Sequence, residues 1–188
     1  MEKTLSCFIF FSLIAYNILF AKAQTNPVNL IDFTCKQTPD YNLCASTLNS
    51  DPRSRSAKDM KALATILVDH VNDKASSTRL HIATLFMDPK TDSNTKLYLD
   101  QCVTRYDKIL SYWIPNAKTS MANDDYSKAQ EYIDALPTTI ELCERNFEFL
   151  GHVKSPITND SKAMDDIAKV AIAVVTYKMM HPAPPSMN

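Results

Sequence analysis

Between Met60 and Lys178 the apolar residues recur in steps of three and four, the spacing that lines one face of an α-helix. Met60, Ala64, Leu67, Val71, Ala75, Thr78, Ile82 and Leu85 form a first stripe that stops near Met87, before Pro89. The segment Ser56-Ala57-Lys58-Asp59 predicts its start, with Ser56 as cap and an acid in the first turn. A second stripe runs through Val103, Tyr106, Leu110, Trp113, Ala117 and Met121. The third takes in Ala129, Ile133, Leu136, Ile140, Cys143, Phe147 and Leu150, with Gly151 placed as a C-terminal cap. Met164, Ile167, Ala171, Val174 and Lys178 mark the fourth, which ends by His181-Pro182. Long stripes joined by short polar loops predict an all-α fold, an antiparallel four-helix bundle. Pro115 and Pro137 lie inside the second and third stripes, which continue in phase through both; this predicts kinks rather than helix ends.

The first 23 residues follow a different rule. Met1–Lys3 carries a lysine, Leu5–Phe20 is mainly apolar, and Ala21-Lys22-Ala23 has the small-x-small form of a cleavage site. The run is too short for a membrane-spanning helix of roughly 20 apolar residues. It predicts a secretory signal peptide over 1–23, a folded domain over 24–181 and a short tail over 182–188. Removing Glu2, Lys3 and Lys22 leaves 18 basic and 20 acidic residues. That balance points to neither nucleic acid nor a membrane surface as partner. The chain has a single glycine, Gly151. Dinucleotide fingerprints and phosphate-binding P-loops both need more, so neither can be present.

Secretion changes what the cysteines mean. Cys7 leaves with the signal peptide, and Cys35, Cys44, Cys102 and Cys143 remain for a disulfide framework. Metal binding is not expected, because the spacings of 9, 58 and 41 residues lack the close pairs of a zinc site. The midpoint of Cys102 and Cys143 falls in the polar stretch Ala122-Asn123-Asp124-Asp125. Two antiparallel helices turning there bring both cysteines to one height. Cys35 and Cys44 are likewise centred on Pro39-Asp40, a turn signal, so residues 28–48 read as a clamped helical hairpin. The predicted pairs are Cys35–Cys44 and Cys102–Cys143. On the loop-entropy model they stabilise the chain by about 2.6 and about 4 kcal/mol.

Catalytic chemistry is sparse. Nucleophilic catalysis needs a Ser or Cys beside a base, and the four remaining cysteines are committed to disulfides. His70 and His81 lie eleven residues apart on the first stripe's helix and form no ligand motif. Asp165-Asp166 and Asp124-Asp125 are read as acids near helix starts. Tyr98, Tyr106, Tyr112 and Trp113 could line a small-ligand pocket, although core or half-exposed helix packing is the preferred reading. Asn159-Asp160-Ser161 is a glycosylation sequon expected in a loop. No catalytic, metal or cofactor residue is assigned, and the chain is not expected to be an enzyme.

The order of these features resembles the plant family of invertase and pectin methylesterase inhibitors. Cys35-Lys36-Gln37-Thr38-Pro39-Asp40-Tyr41-Asn42-Leu43-Cys44 is similar to the family's opening, as is Ser50-Asp51-Pro52-Arg53-Ser54. Cys143-Glu144, Phe147 and Ser155-Pro156 also fall where the family has them. Certain pollen allergens resemble the same family, and Cys143–Lys178 is similar to theirs. The likeness covers about residues 28–180. It implies a four-helix bundle with an N-terminal hairpin, the same two disulfides, no cofactor, and a secreted apoplastic monomer that plugs another protein's substrate cleft. The implied partner is an acid invertase or a pectin methylesterase.

Invertase inhibitors of the family carry a Pro-Lys-Phe motif near the start of the third bundle helix. Those positions fall here on Tyr126, Ser127 and Lys128, so the motif is absent. Asp125-Tyr126 is closer to the methylesterase inhibitors and the allergen-like branch. The hairpin and Leu63–Ala75 look more like invertase inhibitors. Inhibition of invertase is the preferred expectation, through Asp124, Asp125, Tyr126, Ser127 and Lys128, with Tyr126 as aromatic anchor and Lys128 as cation. A helical carrier of a small apolar ligand is a third reading, and it needs a cavity inside the bundle.

Overall fold

The computed structural model describes residues 27–151 and 153–182. The expected signal peptide, Cys7 and nearly all of the expected tail lie outside them. Helices α1 (Pro27–Cys35) and α2 (Tyr41–Ser50) form the N-terminal hairpin, followed by a 3-10 turn over Pro52–Ser56. The bundle is built from α3 (Met60–Met87), α4 (Ser93–Lys108) continuing into α5 (Ile114–Ala122), α6 (Tyr126–Arg145) and α7 (Thr158–Met180). A π turn over Ile109–Trp113 joins α4 to α5, and a second, over Asn146–Gly151, extends α6. No strand occurs among the described residues.

Most starts are set by aspartates. Asp40, Asp59, Asp92 and Asp125 each accept a hydrogen bond from the backbone N–H three residues ahead, satisfying a donor the helix cannot. Asp59, not Ser56, therefore caps α3. Ser56 is used up in the 3-10 turn, which Asp51 caps and Pro52 opens. Gly151 is not a left-handed cap either, since no described glycine has positive φ. The chain leaves the second π turn through a bond from Val153 N to Phe147 O, 3.1 Å.

The core lies between the four long elements, with Leu67, Val71, Ile82, Ile133, Leu136, Met164 and Val174 among its buried residues. The α6 stripe is buried as expected at Ala129, Ile133, Leu136, Ile140 and Cys143, continuing into Phe147. The second stripe is buried as expected only at Tyr106, Ala117 and Met121. Its helix begins ten residues earlier, at Ser93, and it buries Leu99, Cys102, Tyr106, Ile109, Ile114, Ala117 and Met121. Val103, Leu110 and Trp113 are only partly buried. The five-residue step from Ile109 to Ile114 cannot stay on one face of a regular helix, and the π turn absorbs the extra residue. Pro115 follows that turn at the start of α5, while α6 continues past Pro137; neither proline ends its helix.

Both disulfides pair as expected. Cys35–Cys44 closes the hairpin and Cys102–Cys143 ties α4 to α6, with Cα atoms 5.4 and 5.0 Å apart. The hairpin is held to the bundle by charge as well. Arg53 forks onto Asp51 and bonds Asp69 of α3, which also binds Lys118 of α5 at 2.6 Å. The Arg53 guanidinium holds the Asp51 carboxyl down at about 2, against an ordinary 3.8. A depressed folded value means that Asp51 stabilises the fold above pH 3.8 and loses this contribution as pH falls towards 2. Asp51→Asn should flatten the stability profile in that window, as read by denaturant midpoints between pH 4.5 and 2. An unchanged acid limb would remove Asp51 from the account.

Candidate functional site

The loop between α5 and α6 is the segment that the sequence marked, and the structure shows how it is held. Asp125 N donates to Ser120 O at 2.9 Å and Asp124 N to Met121 O at 3.1 Å. Asp124 takes a left-handed backbone, φ 59°, a conformation that aspartate tolerates better than most residues. Its carboxylate accepts from Lys61 Nζ at 2.7 Å, and Lys61 also donates to Ala122 O at 3.0 Å. Lys61 thus pins the loop to the start of α3, and its hydrogen bond, aided by its charge, lowers the Asp124 pKa. Asp125 caps α6 by accepting from Lys128 N at 2.9 Å. Asp124, Asp125, Ser127 and Lys128 are exposed together at this end of the bundle.

Tyr126 is not the free anchor expected of it. It is only 7% exposed, its hydroxyl lies 3.4 Å from Asp124 Oδ1, and burial pushes its pKa up to about 12. Lys178 Nζ, at the end of α7, sits 5.3 Å from the ring centre. The signal for this was in the sequence. Tyr126 stands three residues before Ala129 and so continues the buried α6 stripe by one position. Lys128 is exposed but not idle: it pairs with Glu131 at 2.7 Å and lies 5.2 Å over the Tyr132 ring.

The other candidates separate. Tyr98 and Tyr106 are buried in the core, whereas Tyr112 is exposed on the π turn and Trp113 is half-buried beside it, so the four do not line one pocket. His81 Nδ1 lies 2.7 Å from Asp160 Oδ2, joining α3 to α7. His70 Nε2 lies 3.2 Å from Asp51 without an aligned hydrogen bond. Each histidine faces a carboxylate rather than a hydroxyl or thiol. Asp165 and Asp166 sit beyond the first turn of α7, paired to Lys169 and to Lys162, so they do not answer the helix dipole; Asp160 is the first-turn acid. Asn159 is exposed but lies in the first turn of α7 rather than in a loop, and Ser161 of its sequon is buried. No group of three or more His, Cys, Asp or Glu that could hold a metal occurs among the described residues. No helix among them is long and apolar enough to cross a membrane.

One constellation went unnoticed in the sequence. Glu144, next to Cys143 on α6, accepts from Ser155 Oγ at 3.1 Å, Thr158 Oγ1 at 2.9 Å and Ser161 Oγ at 2.7 Å. Ser161 in turn meets the buried Tyr106 hydroxyl at 3.2 Å, whose pKa burial raises to about 12. The carboxylate sits at the N-terminus of α7, where a negative charge is favoured. The neighbouring recess of about 400 Å³ is a surface groove between α6 and α7, lined by Pro137, Ile140 and Asp165 among others. It is not an enclosed cavity of the kind a carrier needs.

A bundle cross-tied by two disulfides and presenting one stiff, charged loop has the build of a small protein that acts by docking into a partner. Residues 29–174 match the family model described as plant invertase/pectin methylesterase inhibitor, and the chain belongs to that family. It is 34% identical over 146 residues to the cell wall / vacuolar inhibitor of fructosidase 1 of Arabidopsis thaliana, covering 78% of this chain and 67% of the relative. It is 27% identical over 146 residues to a pectinesterase inhibitor of Actinidia deliciosa, covering 78% and 77%. The crystal structure of a mutant form of a pectin methylesterase inhibitor from Arabidopsis superposes with a TM-score of 0.63, at 21% identity, over 76% of this chain and 92% of that one. That likeness carries the fold.

Proposed function

We propose that this chain is a secreted inhibitor of an acid invertase, released from its signal peptide after Ala23 and acting in the apoplast as a monomer without cofactor. The observation that carries the proposal is the pinned loop Asn123–Asp125 with the exposed Ser127 and Lys128 in the first turn of α6. Lys61, the Asp125 cap and the Cys102–Cys143 bond order it in advance, so that little conformational freedom is lost on docking. Lys128 supplies a cation suited to a glycosidase cleft, where two carboxylates do the chemistry. The fructosidase inhibitor at 34% identity supports the choice of target. The contacts assigned to the target are Asp124, Asp125, Ser127 and Lys128, with Tyr126 as the packed base beneath them. Asn159 is the proposed glycan site, exposed at the end of the bundle away from the loop.

A second reading, inhibition of a pectin methylesterase, is favoured by Asp125-Tyr126 standing where the invertase-type motif belongs. Titration of the purified protein against each enzyme at mildly acidic pH decides between them. Invertase activity should be lost at near-stoichiometric inhibitor while methylesterase activity persists. Asp124→Ala combined with Lys128→Ala should raise the inhibition constant tenfold or more, about 1.4 kcal/mol. Loss of methylesterase activity alone would transfer the function to the second reading. Full inhibition by the double variant would move the interface elsewhere on the bundle.

A further inference from the structure

Below Lys128, the side of the bundle formed by the π turn and α6 carries an aromatic strip that the loop does not account for. Tyr112, Trp113 and Tyr132 form one cluster: Tyr112 stands edge-on to Trp113 at 4.8 Å and to Tyr132 at 5.8 Å. A cation lies over each flank, Lys108 Nζ 4.8 Å from the Trp113 ring and Lys128 Nζ 5.2 Å from Tyr132. Tyr112 is 45% exposed in the middle of the strip. Among the described residues Lys108 has no carboxylate partner. The backbone is unusual at the same place, because Tyr112 and Trp113 are themselves in the π turn, a feature concentrated at functional sites. That turn puts Ile109 and Ile114 into the core and leaves Tyr112 facing outward, with Trp113 half-buried beside it.

We infer that Tyr112, Trp113 and Tyr132, with Lys108 and Lys128, form a second contact surface that grips the rim of the target enzyme's acidic cleft while the loop enters it. The inference rests on the inhibitor reading proposed above and specifies how the complex is held. Continuity carries it: Lys128 belongs to both the loop site and the strip. Tyr112 lies ten residues before Ala122, about 15 Å along the helix, and Tyr132 about 6 Å beyond Lys128. A patch with both these spans fits a standard interface, to which one partner contributes roughly 800 Å². The chemistry is complementary as well. Aromatic side chains are the residues most enriched at interface hot spots, and cations resting on their faces suit an acidic rim better than a basic or purely apolar one.

The test uses the full secreted protein and whichever enzyme the titration identifies. Tyr112→Ala should raise the inhibition constant tenfold or more, with little change in melting temperature. Lys108→Glu should slow association, and more so at low salt. Leu97→Ser, an exposed apolar residue at the opposite end of the bundle, should leave inhibition unaltered. Wild-type inhibition that survives both strip variants would overturn the surface while leaving the inhibitor reading intact. Failure of the wild-type chain to inhibit either enzyme would overturn the inhibitor reading itself. A self-association seen by sedimentation, abolished by Tyr112→Ala with inhibition unchanged, would assign the strip to a second copy and also overturn the inference.

Discussion

Replacing Cys102 and Cys143 together by alanine lowers the stability of this chain by about 4 kcal/mol, the loop-entropy figure for a cross-link of this span. The bond joins α4 to α6 across 41 residues, and both sulfur-bearing residues are completely buried. For a domain of this size each kcal/mol shifts the melting temperature by about 2–4 °C, so the double variant should melt about 8–16 °C lower. The Cys35–Cys44 pair closes only nine residues and should matter less, about 2.6 kcal/mol. The order of the two effects is the sharper test. If losing the hairpin bond proved more damaging than losing the inter-helix bond, the constraint would lie in local packing rather than in the unfolded chain. The functional consequence is separable, because the long bond is also what holds the two helices flanking the loop in register.

Glu144→Ala is the second large effect, about 3 kcal/mol or more. Hydrogen bonds to a charged group contribute about 1.5–3 kcal/mol each, and three hydroxyls would lose their acceptor at once. Ser161 is 2% exposed, so water cannot simply replace the carboxylate there. Tyr106→Phe removes only the outermost hydroxyl and should cost about 1 kcal/mol. Thermal melts of the two variants separate these cases. A Glu144→Ala protein as stable as Tyr106→Phe would mean that the network contributes order but little energy. The expected damage is local to the end where α6 hands over to α7, far from the loop. Any folded Glu144→Ala protein should therefore still inhibit.

The two large effects differ in how readable they were. The disulfide pairing followed from counting, since cysteines equidistant from a polar turn must meet if the flanking helices are antiparallel. The α6 stripe was equally plain, because one helix with a three-and-four repeat has only one face to bury. Family membership also rested on local sequence, from Cys35–Cys44 through Cys143-Glu144 to Ser155-Pro156. Glu144 was visible in that last run, but its role was not. Nothing in Cys143-Glu144 reveals that Ser155, Thr158 and Ser161 will return across a turn to surround the carboxylate.

The sequence by itself therefore determined the helical class, the number of long helices, the pairing of the cysteines and the position of the presented loop. Each is a matter of period or of distance along the chain, and neighbouring elements do not alter it. Tertiary structure alone decided the rest. Asp59 displaced Ser56 as cap because Asp51 and Pro52 had already drawn Ser56 into a 3-10 turn. Packing against α3 and α6 required Ile109 and Ile114 on one face, and only a π turn could deliver both. Tyr112, between them, was thereby turned outward. Tyr126, read as a hand held out to a partner, was drawn under Lys178 by the same stripe that buries Ala129. Where a side chain points depends on which neighbours remove its water, and those neighbours are assembled only when the chain folds.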